Sequence, residues 1–274
     1  MLVYDSHCHL DLPVFDADRA QVVRRAQLAG LTGILVPAIR PATFARVVAL
    51  KGPASAAPDA LSIALAIGVH PQVVGELDES ERLVSLDPDA IAHAAQAAGA
   101  VAIGECGLDG GTGSDEEQER ILRAHIRAAR LLKLPLVLHV LRAHGHAPRV
   151  LAEERAHEVG GVMHSYSGGA GMMAVYRDLG FAFSLAGPVT FPGARRALEA
   201  ARAIPGDLLL AETDAPDQSP LGHRGQRNEP GFLPAIVAAL AAARNEPVAT
   251  TAALIEGNAR RIFRLTPGTV APPP

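Results

Sequence analysis

The sequence predicts an α/β fold, a (β/α)8 TIM barrel in a single domain. Short apolar runs alternate with longer helical patterns, the signal of parallel βαβ units. The alternation supplies eight strand candidates, each followed by at least one helical stretch. A chain of 274 residues is a common length for one such barrel. In order, Leu2–Tyr4 is the first strand candidate, and Asp16–Ala29 reads as a helix closed by Gly30. Gly33–Pro37 is the second strand, with a helix over Thr43–Leu50. Leu61–Ile67 is the third, followed by a helix over Pro88–Ala98. Val101–Gly104 is the fourth, and Ser114-Asp115-Glu116-Glu117 reads as a capping box that opens a long helix to Leu132. Leu136–Leu138 with helix Pro148–Glu158, Gly161–Met163 with a helix near Met172–Leu179, and Phe181–Ser184 with helix Ala194–Ala203 continue the pattern. Leu208–Ala211 is the eighth strand, and Leu233–Arg244 and Thr250–Leu265 are helical. The barrel is expected over residues 1–265, with a Pro-rich tail over 266–274. An open doubly wound sheet is the alternative reading of the same alternation.

Bulk composition narrows the function. Hydrophobic residues make up 49% of the chain, enough for a sizeable core. The formal net charge is −4 with no block of Lys or Arg, so any nucleic-acid binding must come from a local basic patch or from metal ions. Two cysteines, Cys8 and Cys106, make a disulfide framework an unsuitable reading and fit a reducing cytosol. Strand alternation points each away from the polar residues beside it, as a buried filler. The N-terminal MLVYDSHCHLDL lacks the basic start and long apolar core of a signal peptide, and no apolar run approaches a membrane span. A cytoplasmic protein with no membrane association and no obligate protein partner is expected.

The chemistry lies at the strand ends. The first strand runs into Asp5-Ser6-His7-Cys8-His9, the fourth into Gly104-Glu105, the fifth into His139, the sixth into His164 and the eighth into Glu212-Thr213-Asp214. In a barrel, the C-terminal strand ends converge on one rim, where barrel active sites lie. Imidazole and carboxylate suit zinc, manganese, nickel or iron. His7 and His9 are two apart, so an extended segment projects them from one face. Glu105 has two oxygens and can bridge two ions, His139 and His164 can hold the second, and Asp214 can bind the first and accept a proton from a metal-bound water. Two ions about 3.5–4 Å apart clamp the attacking and leaving oxygens of a displacement. Taken singly, each residue has a plainer reading: an incidental His-x-His, a hydrogen-bonded histidine, a salt-bridging glutamate, a turn aspartate. Their joint placement at strand ends is what points to a metal site.

The segments DSHCHLDLPVF, AIGVHP, AIGECGLD, LPLVLHVLRAH, GVMHSYSGG, LLLAETDAP and GNARRIF, in this order, resemble the TatD family of metal-dependent deoxyribonucleases over essentially the whole chain up to the tail. The resemblance implies a TIM barrel of the metallo-dependent hydrolase superfamily. It implies two divalent ions (zinc, manganese, magnesium, nickel or iron) on His7, His9, Glu105, His139, His164 and Asp214. It also implies hydrolysis of phosphodiester bonds in DNA, often from the 3′ end of single strands. His70, in Gly68-Val69-His70-Pro71, matches a family position near the substrate phosphate, and the catalytic set becomes Asp214, Glu105 and His70. The chain departs from the pattern at three places. Gln72 replaces a familiar histidine, Gly110 and Gly111 stand where an aromatic often comes after Asp109, and Arg142 lies three residues after His139 where an arginine is usual at two. These departures bear on substrate preference more than on hydrolysis.

Substrate contacts are expected from Arg142, Arg224 and Arg227, since guanidinium suits bidentate phosphate contacts. Arg227 pairing with Glu229 or Asp217 is the alternative. Tyr166 can stack on a base or pack against the barrel. His144 and His146 read as solvated loop residues. The leading function is a 3′-5′ exodeoxyribonuclease acting on single-stranded DNA or a small phosphodiester. The alternatives are a small-molecule amidohydrolase or phosphoesterase, disfavoured because Lys51 and Lys133 are not at strand ends to bridge metals, and a catalytically silent metal- or nucleic-acid-binding protein.

Overall fold

The computed structural model describes residues 1–51 and 61–265; the expected tail over 266–274 lies outside the described residues. The elements in chain order are β1 (Val3–Asp5), α1 (Arg19–Leu28), β2 (Leu31–Pro37), α2 (Phe44–Ala49), β3 (Ser62–Ile67), α3 (Glu79–Leu86), α4 (Pro88–Ala98), β4 (Ala102–Asp109), α5 (Asp115–Leu132), β5 (Leu136–Leu141), α6 (Ala147–Glu153), β6 (Gly161–Met163), α7 (Ala170–Asp178), β7 (Phe181–Leu185), α8 (Arg195–Ala203), β8 (Leu209–Ala211), α9 (Leu233–Arg244) and α10 (Val248–Ile262). The fold is the (β/α)8 barrel. The strands succeed one another in the sheet in sequence order, and the pairings of β1 with β2 and of β3 through β7 are parallel. A doubly wound sheet would reverse strand order at a switch point; the observed order has no reversal.

The chain divides into two compact units. The first comprises residues 1–36, 49–51, 61–64 and 185–265. Its core is α9 and α10 folded together, with α10 against β1 and β8. Val3, Leu209, Leu210, Ile236, Val237, Leu240 and Ile255 are all fully buried there. Removing each such side chain from water contributes about 1.5–3 kcal/mol. Helix α1 is tied to the turn at Pro230–Phe232 by Arg25, whose guanidinium donates to Glu229 at 2.8 and 2.7 Å.

The second unit comprises residues 37–48 and 65–184, built on β4 and β5 with α5 packed on β4. Along α5, Ile121, Leu122, His125, Ile126, Ala128 and Ala129 are buried, the 3–4 spacing of one helical face. Helix α4 has Pro88 at its first turn, Asp87 accepting from the Asp89 N–H, and Gly99 closing it in the left-handed conformation.

Three sequence expectations change here. Strand β4 does not stop at Gly104 but runs on to Asp109. Its glycines permit this: Gly107 has φ +150°, and a Cβ there would run into the His139 backbone on the paired strand. The capping box expected at Ser114 is absent; Ser114 has φ 82° and its side chain caps nothing, so the three acids of the first turn serve the helix N-terminus instead. The true capping box is Asp78 with Glu81, opening α3, a helix that its short polar sequence had concealed.

Candidate metal centre

In the first unit, the segment after β1 is laced to the segment after β8 by main-chain bonds. Ser6 N–H donates to Ala211 O at 3.2 Å, Asp214 N–H to His7 O at 2.9 Å and His9 N–H to Ala215 O at 2.8 Å. Cys8 N–H donates the other way, to Leu35 O in β2 at 3.0 Å. Asp214 takes φ 53°, a left-handed conformation that aspartate tolerates. The lacing brings three donors together. His7 Nε2 and His9 Nε2 are 3.2 Å apart, and each is 3.7 Å from Asp214 Oδ1. Gln218 donates to the other oxygen, Asp214 Oδ2.

Beneath this set lies Asp5, to which the sequence alone assigns no role. It is fully buried and accepts from Thr213 Oγ1 at 2.6 Å, Thr213 N–H at 2.9 Å and His7 N–H at 3.3 Å. Burial pushes its carboxyl up to about 8, against the Thr213 hydrogen bonds that favour the charged form. Asn228 braces the loop after β8, donating to Thr213 O at 2.7 Å and Asp217 O at 2.6 Å.

In the second unit, three histidines meet one carboxylate oxygen. Glu105 Oε1 lies 3.0 Å from His70 Nε2, 3.0 Å from His139 Nδ1 and 2.9 Å from His164 Nε2. His139 Nδ1 and His164 Nε2 are 3.1 Å apart. Three of the segments that bear these side chains are pinned by their own main-chain bonds: Glu105 N–H to Ala38 O, His70 N–H to Ile39 O, His164 N–H to Leu138 O. Glu105 is completely buried. His70 Nδ1 accepts from the Gln72 N–H at 3.1 Å. A neutral His70 therefore carries its proton on Nε2 and donates to Glu105, so it faces the site as an N–H donor rather than as a ligand.

Asp109 ends β4 and is also fully buried. It accepts from Gln72 Nε2 at 2.9 Å, the Gly111 N–H at 3.0 Å and Arg142 Nη2 at 3.0 Å. Burial acts to raise its pKa, but the bonds from Gln72, Gly111 and Arg142 outweigh it and hold the carboxyl below its ordinary value.

Both sets suit a divalent ion. Zinc–imidazole bonds of about 2.0–2.1 Å in a tetrahedron put neighbouring donors about 3.4 Å apart. The separations of 3.2, 3.7 and 3.7 Å in the first set lie on either side of that value. In the second, Glu105 Oε1, His139 Nδ1 and His164 Nε2 are separated by 3.0, 2.9 and 3.1 Å.

Other expected contacts are engaged elsewhere. Arg227 makes a forked pair with Asp18 at 2.8 and 2.8 Å and lies over the Phe15 ring, so its partner is neither Asp217 nor, at 4.0 Å, chiefly Glu229. Asp18 is held down to about 2 by Arg227 and, after it, Arg25. Tyr166 is buried, donates to Gly169 O at 2.8 Å and meets Phe183 edge-on, the packed alternative. Arg224 is exposed and lies 5.6 Å over Phe191. His144 and His146 are half-buried loop residues with protein partners: His144 bonds Tyr176 Oη at 3.0 Å and Ser167 Oγ at 3.1 Å, and His146 pairs with Glu119 at 2.5 Å, because α5 and α7 present partners to this loop. Cys8 and Cys106 are free and buried.

Residues 4–264 match the family described as TatD related DNase. The chain belongs to that family. A Bacillus subtilis relative, the uncharacterized metal-dependent hydrolase YabD, is 31% identical across 96% of this chain and 100% of its own length. The 3′-5′ ssDNA/RNA exonuclease TatD of Pectobacterium parmentieri is 35% identical across 96% of this chain and 100% of its own. The crystal structure of YjjV, a TatD homolog from Escherichia coli K12, superposes with a TM-score of 0.85 at 30% identity, covering 96% of this chain and 98% of that one. The chain is thus a TatD-family metal-dependent hydrolase on a (β/α)8 barrel. No helix among the described residues is long and apolar enough to cross a membrane.

Proposed function

We propose that this hydrolase is a 3′-5′ exodeoxyribonuclease acting on single-stranded DNA, with two divalent ions on His7, His9, Glu105, His139, His164 and Asp214. The carrying observation is the donor geometry: His7, His9 and Asp214 converge within 3.7 Å, and Glu105 gathers His139 and His164 within 3.0 Å. The relative named as a 3′-5′ ssDNA/RNA exonuclease supports the choice of substrate. Two free cysteines are in keeping with a cytoplasmic location.

When bound, such ions supply an acidified water and positive charge for phosphate oxygens. Asp214 accepts the proton of the attacking water, while Gln218 on Oδ2 keeps the carboxylate aimed. His70 Nε2–H donates to a phosphate oxygen, in the tautomer that the Gln72 N–H enforces. Asp5 and Thr213 keep the backbone of the first donor set in register.

A smaller phosphodiester is the second reading, favoured by one observation: Tyr166 is packed and Arg227 is committed to Asp18, which removes two contacts that a long strand would use. The test is metal-reconstituted protein with a 3′-labelled single-stranded oligonucleotide, with His139→Ala as control. Progressive loss of the 3′ nucleotide that requires metal and His139 is expected. No release by metal-loaded protein, together with turnover of bis(p-nitrophenyl) phosphate, would replace the first reading by the second.

A further inference from the structure

The three departures from the family pattern around the second donor set end on one carboxylate. Gln72 and Arg142 each donate to Asp109, at 2.9 and 3.0 Å. The glycine pair makes the second of these bonds possible. A Cβ on Gly111 would run into the Arg142 guanidinium, and one on Gly110 would lie 2.8 Å from Arg142 O. Arg142 itself takes φ 55°, turning its side chain back over β4. An aromatic residue after Asp109 would fill the path by which the guanidinium arrives. The glutamine, the glycine pair and the displaced arginine are therefore parts of one arrangement.

The same Asp109 faces a proposed ligand. Its Oδ2 lies 3.7 Å from His139 Nε2, a buried ring nitrogen with no hydrogen bond among the described residues. The opposite ring nitrogen, Nδ1, is the one turned to Glu105 and His164. At that distance Asp109 acts on the ring by charge and orientation rather than by a hydrogen bond. A carboxylate behind a metal-ligating histidine keeps the proton on the outer nitrogen and leaves the inner lone pair for the ion.

We propose that Gln72, Asp109 and Arg142 form a positioning unit for His139: Asp109 fixes its tautomer and ring orientation, and Gln72 and Arg142 hold Asp109 in place. The inference rests on the reading of His139 as a ligand. It makes the departures a compensated exchange that serves metal retention, instead of a loss of substrate contacts.

The test is titration of metal-free full-length protein with Mn2+ by calorimetry, in Asp109→Asn, Gln72→Met, Gly111→Ala and His139→Ala proteins, with the thermal midpoint of each metal-free protein alongside. Asp109→Asn should weaken one of the two ions about 10–100-fold, the scale of an outer-sphere ligand partner. Gln72→Met and Gly111→Ala, which leave the carboxylate in place, should weaken the same ion by a smaller factor at an unchanged thermal midpoint. Turnover of Gln72→Met should return at saturating Mn2+, a recovery that a structural lesion would not give. Wild-type affinity for both ions in Asp109→Asn and Gln72→Met, with one ion lost in His139→Ala, would overturn the positioning unit alone. Both ions retained in His139→Ala would overturn the ligand reading and this inference with it. Should Asp109→Asn not fold, Gln72→Met and Gly111→Ala decide the matter.

Discussion

The two donor sets are assembled by different means. In the first, the ligand-bearing segments bond directly to one another through the main chain, Asp214 N–H to His7 O and His9 N–H to Ala215 O. The backbone fixes the donor positions before any side chain acts. In the second, the side chains come from or just beyond different strands, and His70, His139 and His164 all converge on Glu105 Oε1. Truncation should therefore be local in the first set and collective in the second.

Glu105→Ala is the largest expected effect. It removes the carboxylate that three histidines face from a fully buried position, and turnover should fall more than about a hundredfold, the scale of losing one preorganised charge contact. Turnover assays with metal analysis of the same sample check this. Full activity would show that the second set does not depend on one carboxylate.

An intermediate effect separates the scaffold of the second unit from its chemistry. His125 on α5 is fully buried, donates from Nδ1 to Ile121 O at 2.8 Å, and is held by burial down to about 4. A histidine depressed in the folded state takes up its proton only on unfolding. Its share of stability is thus intact above about pH 6.5 and is lost as pH falls toward 4. Thermal midpoints measured from pH 7 to 4.5 should decline, and His125→Leu should flatten part of that decline. An identical slope in both proteins would assign the acid sensitivity to other groups.

The smallest effect is expected from Arg227→Ala. Its guanidinium is engaged with Asp18, so KM for an oligonucleotide should stay within about twofold and stability should fall by less than about 1 kcal/mol, as for other partly exposed pairs. A tenfold rise in KM would restore Arg227 as a phosphate contact.

Legibility in the sequence divides the same way. His7 and His9 share a strand-like segment, so spacing alone places them together. Glu105, His139 and His164 emerge only when the strands are counted and the residue at the end of each is compared. Asp5 and Asp109 escape notice as working residues, because an acid after an apolar strand reads the same whether it faces solvent or is buried under a ligand. The Gly110-Gly111 pair beside Asp109 is the available signal: two glycines where a side chain is usual mark a close approach, here that of Arg142. The end of β4 is misread for a related reason, since Gly104 and Gly107 look like strand breakers yet are what lets the strand pass close to β5. The partner of Arg227 is out of reach, because Asp18 is far from it in sequence and no local pattern joins them.

The most direct test of the account is the divalent metal content per chain, measured after reconstitution and dialysis, in wild-type, His9→Ala and His139→Ala proteins. Two ions are expected in the wild type and a lost ion in each variant, one from each donor set. Two ions in all three proteins, or none in the wild type, would contradict it.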